Sequence, residues 1–205
     1  MSHQDEAANE NPMLIMVDEG TGDKYARAVG QKGLGGGAEE MQWLIGGLHE
    51  ELKAWGHHGG EGGHIILKSD NETPIVAVRD ALARYHGGKV VIDKPPKYES
   101  QSNGVVGEAG KTVRELTLIF KDVIEKRASI EIDGSMAIAP WIVRWAAMNI
   151  SRFQVGTDGM TAYERRRGRK CRVPTACLGE KVWCKKRDKP KDRNKSDTKW
   201  EKPYG

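Results

Sequence analysis

Two carboxylates stand at the points where strands and helices of an α/β chain hand over to one another. The first is Asp70. It closes the stretch His64-Ile65-Ile66-Leu67-Lys68-Ser69-Asp70-Asn71-Glu72, a short apolar run stopping at Ser-Asp-Asn, so its carboxylate sits where a buried strand emerges into a loop. The second is Glu108. Ser100-Gln101-Ser102-Asn103-Gly104-Val105-Val106-Gly107 leads into it, and Thr112, Val113, Leu116, Ile119, Phe120 and Val123 continue a helical pattern behind it. Glu108 therefore lies in the first turns of a long helix.

The Ser-Asp-Asn setting of Asp70 and the Asn-Gly lead-in before Glu108 resemble the catalytic core of retroviral and copia-type retrotransposon integrases. The resemblance runs from about Pro12 to about Arg169, most of the chain. It implies an α/β fold of the ribonuclease-H-like type, a mixed sheet flanked by helices, and an activity in DNA integration. In that family three carboxylates, Asp, Asp and Glu, hold two divalent metals about 3.5 to 4 Å apart, which activate the attacking oxygen and stabilise the leaving one. The resemblance thus assigns Asp70 and Glu108 as catalytic and metal-binding residues, with Mg²⁺ or Mn²⁺ as cofactor. It assigns Lys94, Lys97, Asn103, Lys111, Arg114, Arg165, Arg166 and Arg167 to nucleic-acid binding, with DNA as partner and a homo-oligomer as the assembly.

The chain departs from the family pattern at two of its three acids. Asp70 matches the second Asp, but the third acid follows Asn-Gly as Asn-Gly-x-x-Glu, and here that position is Gly107. Glu108 comes one residue late, which on an α-helix is a rotation of about 100° and a rise of about 1.5 Å. The first Asp belongs to an opening strand upstream of the one matching Met13 to Val17, and Met1-Ser2-His3-Gln4-Asp5-Glu6 is too polar and short to supply it. The expected fold therefore lacks its first strand. The expected site is incomplete.

Charge is distributed unevenly. From Glu164 to Lys202 there are 16 Lys or Arg against 6 Asp or Glu, a local excess of +10, which leaves −6 for the rest of a chain whose net charge is +4. A basic extension on a mildly acidic globule fits a polyanion partner, a solvated tail being the other reading. Cys171, Cys177 and Cys184 match neither a zinc knuckle nor a paired disulfide set, so reduced thiols are expected. No apolar run approaches the roughly 18 to 20 residues of a membrane span, and the N-terminus has no basic-then-apolar signal pattern. The expectation is a soluble protein of nucleus or cytoplasm.

The supporting elements follow from periodicity. Residues 1–11 are polar and read as a disordered N-terminus, residues 12–169 as the partial integrase-like core, 170–186 as a short β-rich extension, and 187–205 as a basic disordered tail. Met13 to Val17 reads as a buried strand, Lys24 to Val29 as its hairpin partner, with Asp18 in the turn rather than on a metal. Gly33-Leu34-Gly35-Gly36-Gly37 lacks the Lys-Ser/Thr of a phosphate-binding loop and reads as a hinge. Met41, Leu44, Ile45, Leu48, Leu52 and Trp55 recur at three and four and define a helix covering one sheet face. His57, His58, Glu61 and His64 lie in a glycine-rich loop that leaves them unorganised as ligands.

Pro74 begins a helix facing inward through Ile75, Val78, Leu82 and Tyr85, and Lys89 to Ile92 is the next strand. Trp141, Trp145 and Met148 mark an inward stripe on a later helix, and Thr161-Ala162-Tyr163-Glu164 resembles the family's closing Thr-Pro-Tyr-Glu. The leading reading is an integrase catalytic domain of a transposable element acting by metal-dependent strand transfer, present as a partial copy. The other is a non-catalytic nucleic-acid-binding protein made from such a domain. The two part on whether three acids converge.

Overall fold

Short apolar runs build several strands of the structure, and apolar residues at period 3.6 build its helices. The structure is a computed structural model that describes residues 12–29, 37–60, 63–93, 104–173, 175–180, 182–185 and 200–201. The chain divides into two compact units, Met1–Cys171 and Arg172–Gly205. The hinge glycines before Gly37, the loop carrying Lys94 and Lys97, and Asn103 lie outside the described residues.

In the first unit, β1 (Met13–Val17) and β2 (Lys24–Ala28) form an antiparallel hairpin with Met13 opposite Ala28 and Val17 opposite Lys24. Asp18 closes its turn: the carboxylate accepts the Thr21 hydroxyl at 2.5 Å and the Thr21 and Gly20 amides at 3.3 and 3.4 Å. Helix α1 (Gly37–Trp55) follows, with Glu39 and Glu40 in its first turn and Lys53 in its last, each sign suited to the helix dipole. Strand β3 (His64–Lys68) and strand β4 (Lys89–Asp93) pair in parallel, His64 with Lys89 through Lys68 with Asp93. Between them runs α2 (Thr73–His86), started by Pro74 and ended by Gly87 at φ 69°, a left-handed conformation that glycine takes without a Cβ clash.

Helices α3 (Gly104–Ala128), α4 (Ala139–Phe153) and the short α5 (Ala162–Arg167) complete the unit. The antiparallel and parallel pairings of a mixed sheet are thus both present, divided between two two-stranded ribbons. In the second unit β5 (Cys184–Lys185) pairs antiparallel with β6 (Trp200–Glu201), which takes Trp200 and Glu201 out of the tail that composition suggests.

Two apolar clusters hold the first unit. Leu44, Ile45, Leu48, Leu52 and Trp55 of α1 bury against Tyr25 of β2, Ile65 of β3 and Val78 and Leu82 of α2, with Leu14, Met16 and Leu67 packed beside them. On the other face of the hairpin, Ala26 meets Val113 of α3 and Val143, Ala146, Ala147 and Ile150 of α4, with Met13, Ile15, Leu116 and Phe120 alongside. The two faces of β1 are therefore covered by different helices. Leu14 and Met16 go to α1, Met13 and Ile15 to α3 and α4.

Two inward residues of the sequence reading are corrected here. The buried stripe of α4 is Ile142, Val143, Ala146, Ala147 and Ile150, while Trp141 is 65% exposed. The reason is spacing: small alanines let α4 lie close on Ala26 of β2, which an indole would prevent. On α2, Tyr85 is 52% exposed and its neighbour His86 is buried instead.

His86 stacks edge-on against His49 of α1 at 5.3 Å between ring centroids, and neither of its ring nitrogens has a hydrogen-bond partner among the described residues. Burial lowers the pKa of both imidazoles, with Lys53 adding to the effect at His49, and His49 and His57 adding to it at His86. Both are therefore harder to protonate in the fold than in the unfolded chain, where an imidazole protonates near pH 6.5. The unfolded state takes up more protons as pH falls, so this contribution to stability is present above about pH 6.5 and lost below it. We expect the melting temperature to drop between pH 7 and pH 5, and His86→Phe to flatten that slope; thermal melts across the range measure both.

Candidate functional site

Asp70 leaves the end of β3 two residues beyond Lys68 and is exposed at the surface. It lines an open cavity of about 860 Å³ with all five residues of β1 and all five of β3. Asp18, Glu19 and Asp93 also line it, together with Leu52 and Trp55 of α1 and Ile75 of α2. The first turn of α3 contributes Val105, Val106 and Gly107.

Gly107, and not Glu108, is the residue of this turn that completes the lining. Glu108 is exposed and its backbone carbonyl accepts the Thr112 hydroxyl at 3.0 Å in the ordinary helical manner. A Cβ built on Gly107 meets nothing within 4 Å, so the place for a side chain is open.

Mg²⁺ and Mn²⁺ take several oxygen ligands around one point. Asp70 faces the cavity and Glu108 lies off it, and among the described residues no three His, Cys, Asp or Glu side chains are grouped to hold a metal ion. The residues described do not fit a two-metal centre. Asp18 is taken up by its turn and by His57, whose Nε2 lies 3.4 Å from Oδ1. The Thr21 hydroxyl, His57 and the Gly20 amide outweigh burial and hold its carboxyl below the usual range.

The cations assigned by resemblance fall into two groups. Lys111 and Arg114 are exposed on α3, one and two turns beyond Gly107. Arg165 and Arg166, by contrast, are bound inward. Arg165 clasps Asp158 through Nε and Nη2 at 2.8 and 2.6 Å, and also donates to the carbonyls of Thr21 at 2.8 Å and Met160 at 3.2 Å. That clasp holds the Asp158 carboxyl far below the ordinary range. Arg166 donates to the Ala54 carbonyl at 2.8 Å and lies against the buried Asp23, Nε to Oδ2 2.5 Å, as an ion contact without the alignment of a hydrogen bond. Arg167 alone of the three is exposed.

What places these arginines is the start of α5. The Thr161 hydroxyl accepts from the Glu164 amide at 3.1 Å while the Glu164 carboxylate accepts from the Thr161 amide at 2.9 Å, a reciprocal cap. The cap supplies the helix start for which a proline at Ala162 would otherwise serve. Removing one partner of a buried ion pair costs about 3–5 kcal/mol because the other charge stays behind. We expect Arg166→Ala, which strands Asp23, to lower the denaturant midpoint strongly, and Arg167→Ala to leave it unchanged; parallel urea melts decide.

No protein-family model matches the sequence, and no curated protein matches it either. Solved structures do. The catalytic core domain of BIV integrase covers 75% of this chain and 84% of its own, at 17% identity and a TM-score of 0.48. A chain of the simian T-cell lymphotropic virus intasome, determined in complex with PP2A regulatory subunit B56 gamma, covers 93% of this chain at 14% identity and a TM-score of 0.53. This chain spans 60% of the length of that one. The likeness to the intasome chain is one of fold alone. No helix among the described residues is long and apolar enough to cross a membrane.

Proposed function

We propose that this chain is an integrase-type domain of a transposable element, built on the scaffold of metal-dependent DNA strand transfer, in a form that binds DNA without joining it. The observation that carries this reading is that Asp70 and Gly107 line the same cavity while Glu108 does not. The scaffold brings the right helix turn to the right strand end. The side chain that would complete a metal site from that turn is absent.

Binding is the part of the function that the remaining charges support. Lys111 and Arg167 are exposed, and the segment from Arg172 onward adds 11 Lys or Arg against 5 Asp or Glu, a further excess of +6. Such contacts are to phosphates, which position a duplex without reading its sequence. Affinity therefore rises with the number of counterions released, and falls with salt with a slope near −0.9 per phosphate neutralised.

The test uses the full chain with a short duplex and Mn²⁺. Wild type is expected to bind DNA with a steep salt dependence, to give no joined or nicked product, and to show no metal-dependent rise in melting temperature below 1 mM, on the order expected for a single carboxylate. Gly107→Glu is expected to introduce a metal-dependent rise that Asp70→Asn removes, while Glu108→Gln changes nothing. Product from the wild type that is abolished by Glu108→Gln would show that Glu108 reaches the site. Absence of DNA binding would remove the reading altogether.

A further inference from the structure

The buried positions of α1 include a single polar residue, His49, among Leu44, Ile45, Leu48, Leu52 and Trp55. Its neighbour across the helix pair is His86, the last residue of α2 and also buried. Nothing in the packing calls for an imidazole at either place, since the buried residues one turn earlier, Ile45 and Leu82, are aliphatic. Buried polar atoms are nearly always hydrogen-bonded. Here His49 Nδ1 and both ring nitrogens of His86 have no hydrogen-bond partner among the described residues.

The two rings do not satisfy each other either. One imidazole can donate to another through a single N–H···N bond, but both His86 nitrogens lack a partner, and the ring planes cross at 79° with centroids 5.3 Å apart. That separation suits a shared ion. Two imidazoles on one tetrahedral Zn²⁺, with Zn–N bonds of about 2.0 to 2.1 Å, hold their ring centroids about 5.2 Å apart. An edge-on contact of aromatic rings covers the same range, and the unpartnered nitrogens favour the ion. Burial works in the same direction: both rings are harder to protonate than in water, and the neutral imidazole is the form that binds a metal.

The loop after α1 closes over the pair with backbone alone. A Cβ on Gly59 would overlap the His86 carbonyl oxygen and lie 3.5 Å from Cε1 of His49, and one on Gly88 would lie 3.3 Å from Cδ2 of His86. The same loop carries His57, near enough for its charge to act on His86. His57 is partly exposed, and its Nε2 is engaged by one contact, 3.4 Å from Asp18, at the long end of hydrogen bonding. We propose that His49 and His86 form a Zn²⁺ site, with His57 turning from Asp18 to supply a third imidazole and water taking the fourth position. Three imidazoles and a water are a donor set that Zn²⁺ accepts. The proposal stands apart from the DNA reading, since it uses neither Asp70, Gly107 nor the basic residues. Mn²⁺ does not report on it, being the weakest binder of its series and suited to oxygen.

The probe is Zn²⁺ alone, titrated at neutral pH into the ¹⁵N-labelled full chain with the histidine ring nitrogens observed. Expected are saturation at equimolar metal, ring-nitrogen shifts of His49, His86 and His57, and a rise in melting temperature that the same concentration of Mn²⁺ does not give. His49→Gln is expected to abolish the rise, His57→Ala to weaken binding by at least about tenfold, and His58→Ala, in the same loop but exposed, to change nothing. Because His49 lies in the core, Co²⁺ added to the wild type serves as a check that needs no variant: its paramagnetic broadening should centre on the amides of His49, Gly59 and His86. Shifts or broadening confined to the exposed His58 and His64 overturn the proposal, as do unshifted buried rings at saturating Zn²⁺. A Zn²⁺-dependent rise that survives in folded His49→Gln overturns it as well, and binding unchanged by His57→Ala overturns the three-imidazole set.

Discussion

The apolar face of α1 is what makes one body of the first unit. The two ribbons share no strand pairing among the described residues, and Tyr25 from one and Ile65 from the other meet only by packing on Leu44, Ile45, Leu48 and Leu52. Packing of this kind is non-directional and proportional to the apolar area removed from water. It fixes how far apart the ribbons lie without saturating their backbone edges. The cavity, lined by both ribbons, by the exposed Asp70 and by the first turn of α3, follows from that arrangement.

A second constraint is imposed by small residues. Ala26 of β2 and Ala146 and Ala147 of α4 are essentially inaccessible, so helix and strand lie in close contact, and Val113 of α3 is buried in the same place. This contact anchors α3 through its middle. Its first turn is then carried to the cavity by the rigidity of a 25-residue helix, and the register of residues 107 and 108 is set many residues away from either.

Local signals made most of the elements legible in the sequence. The hairpin, α1, β3 and α2 each carry local signals of their own, the turn at Asp18, the acidic start at Glu39 and the helix-starting Pro74 among them. The offset at Gly107 was legible for the same reason, because helical register is a local property. Facts that depend on contacts between distant residues were not. Counting charges in the last 42 residues does not reveal that Arg165 and Arg166 are claimed by Asp158, Asp23 and backbone carbonyls. Nor does periodicity say that alanines rather than Trp141 face inward on α4, since that is decided by how closely β2 approaches.

The Ser151 hydroxyl of α4 accepts the Lys24 amide at 2.8 Å and donates to the Lys24 carbonyl at 3.3 Å, bridging residues 127 positions apart. During synthesis at about 5 to 20 residues per second, β2 therefore emerges roughly 6 to 25 seconds before the helix that covers it. For that interval the nascent hairpin offers Ala26 and a bare backbone edge to whatever is near, while β3, α2 and β4, contiguous in sequence, can already assemble on α1. The order in which the chain leaves the ribosome thus makes the hairpin's outer face the last part of the unit to be sheltered, and the one that a chaperone would have most reason to hold.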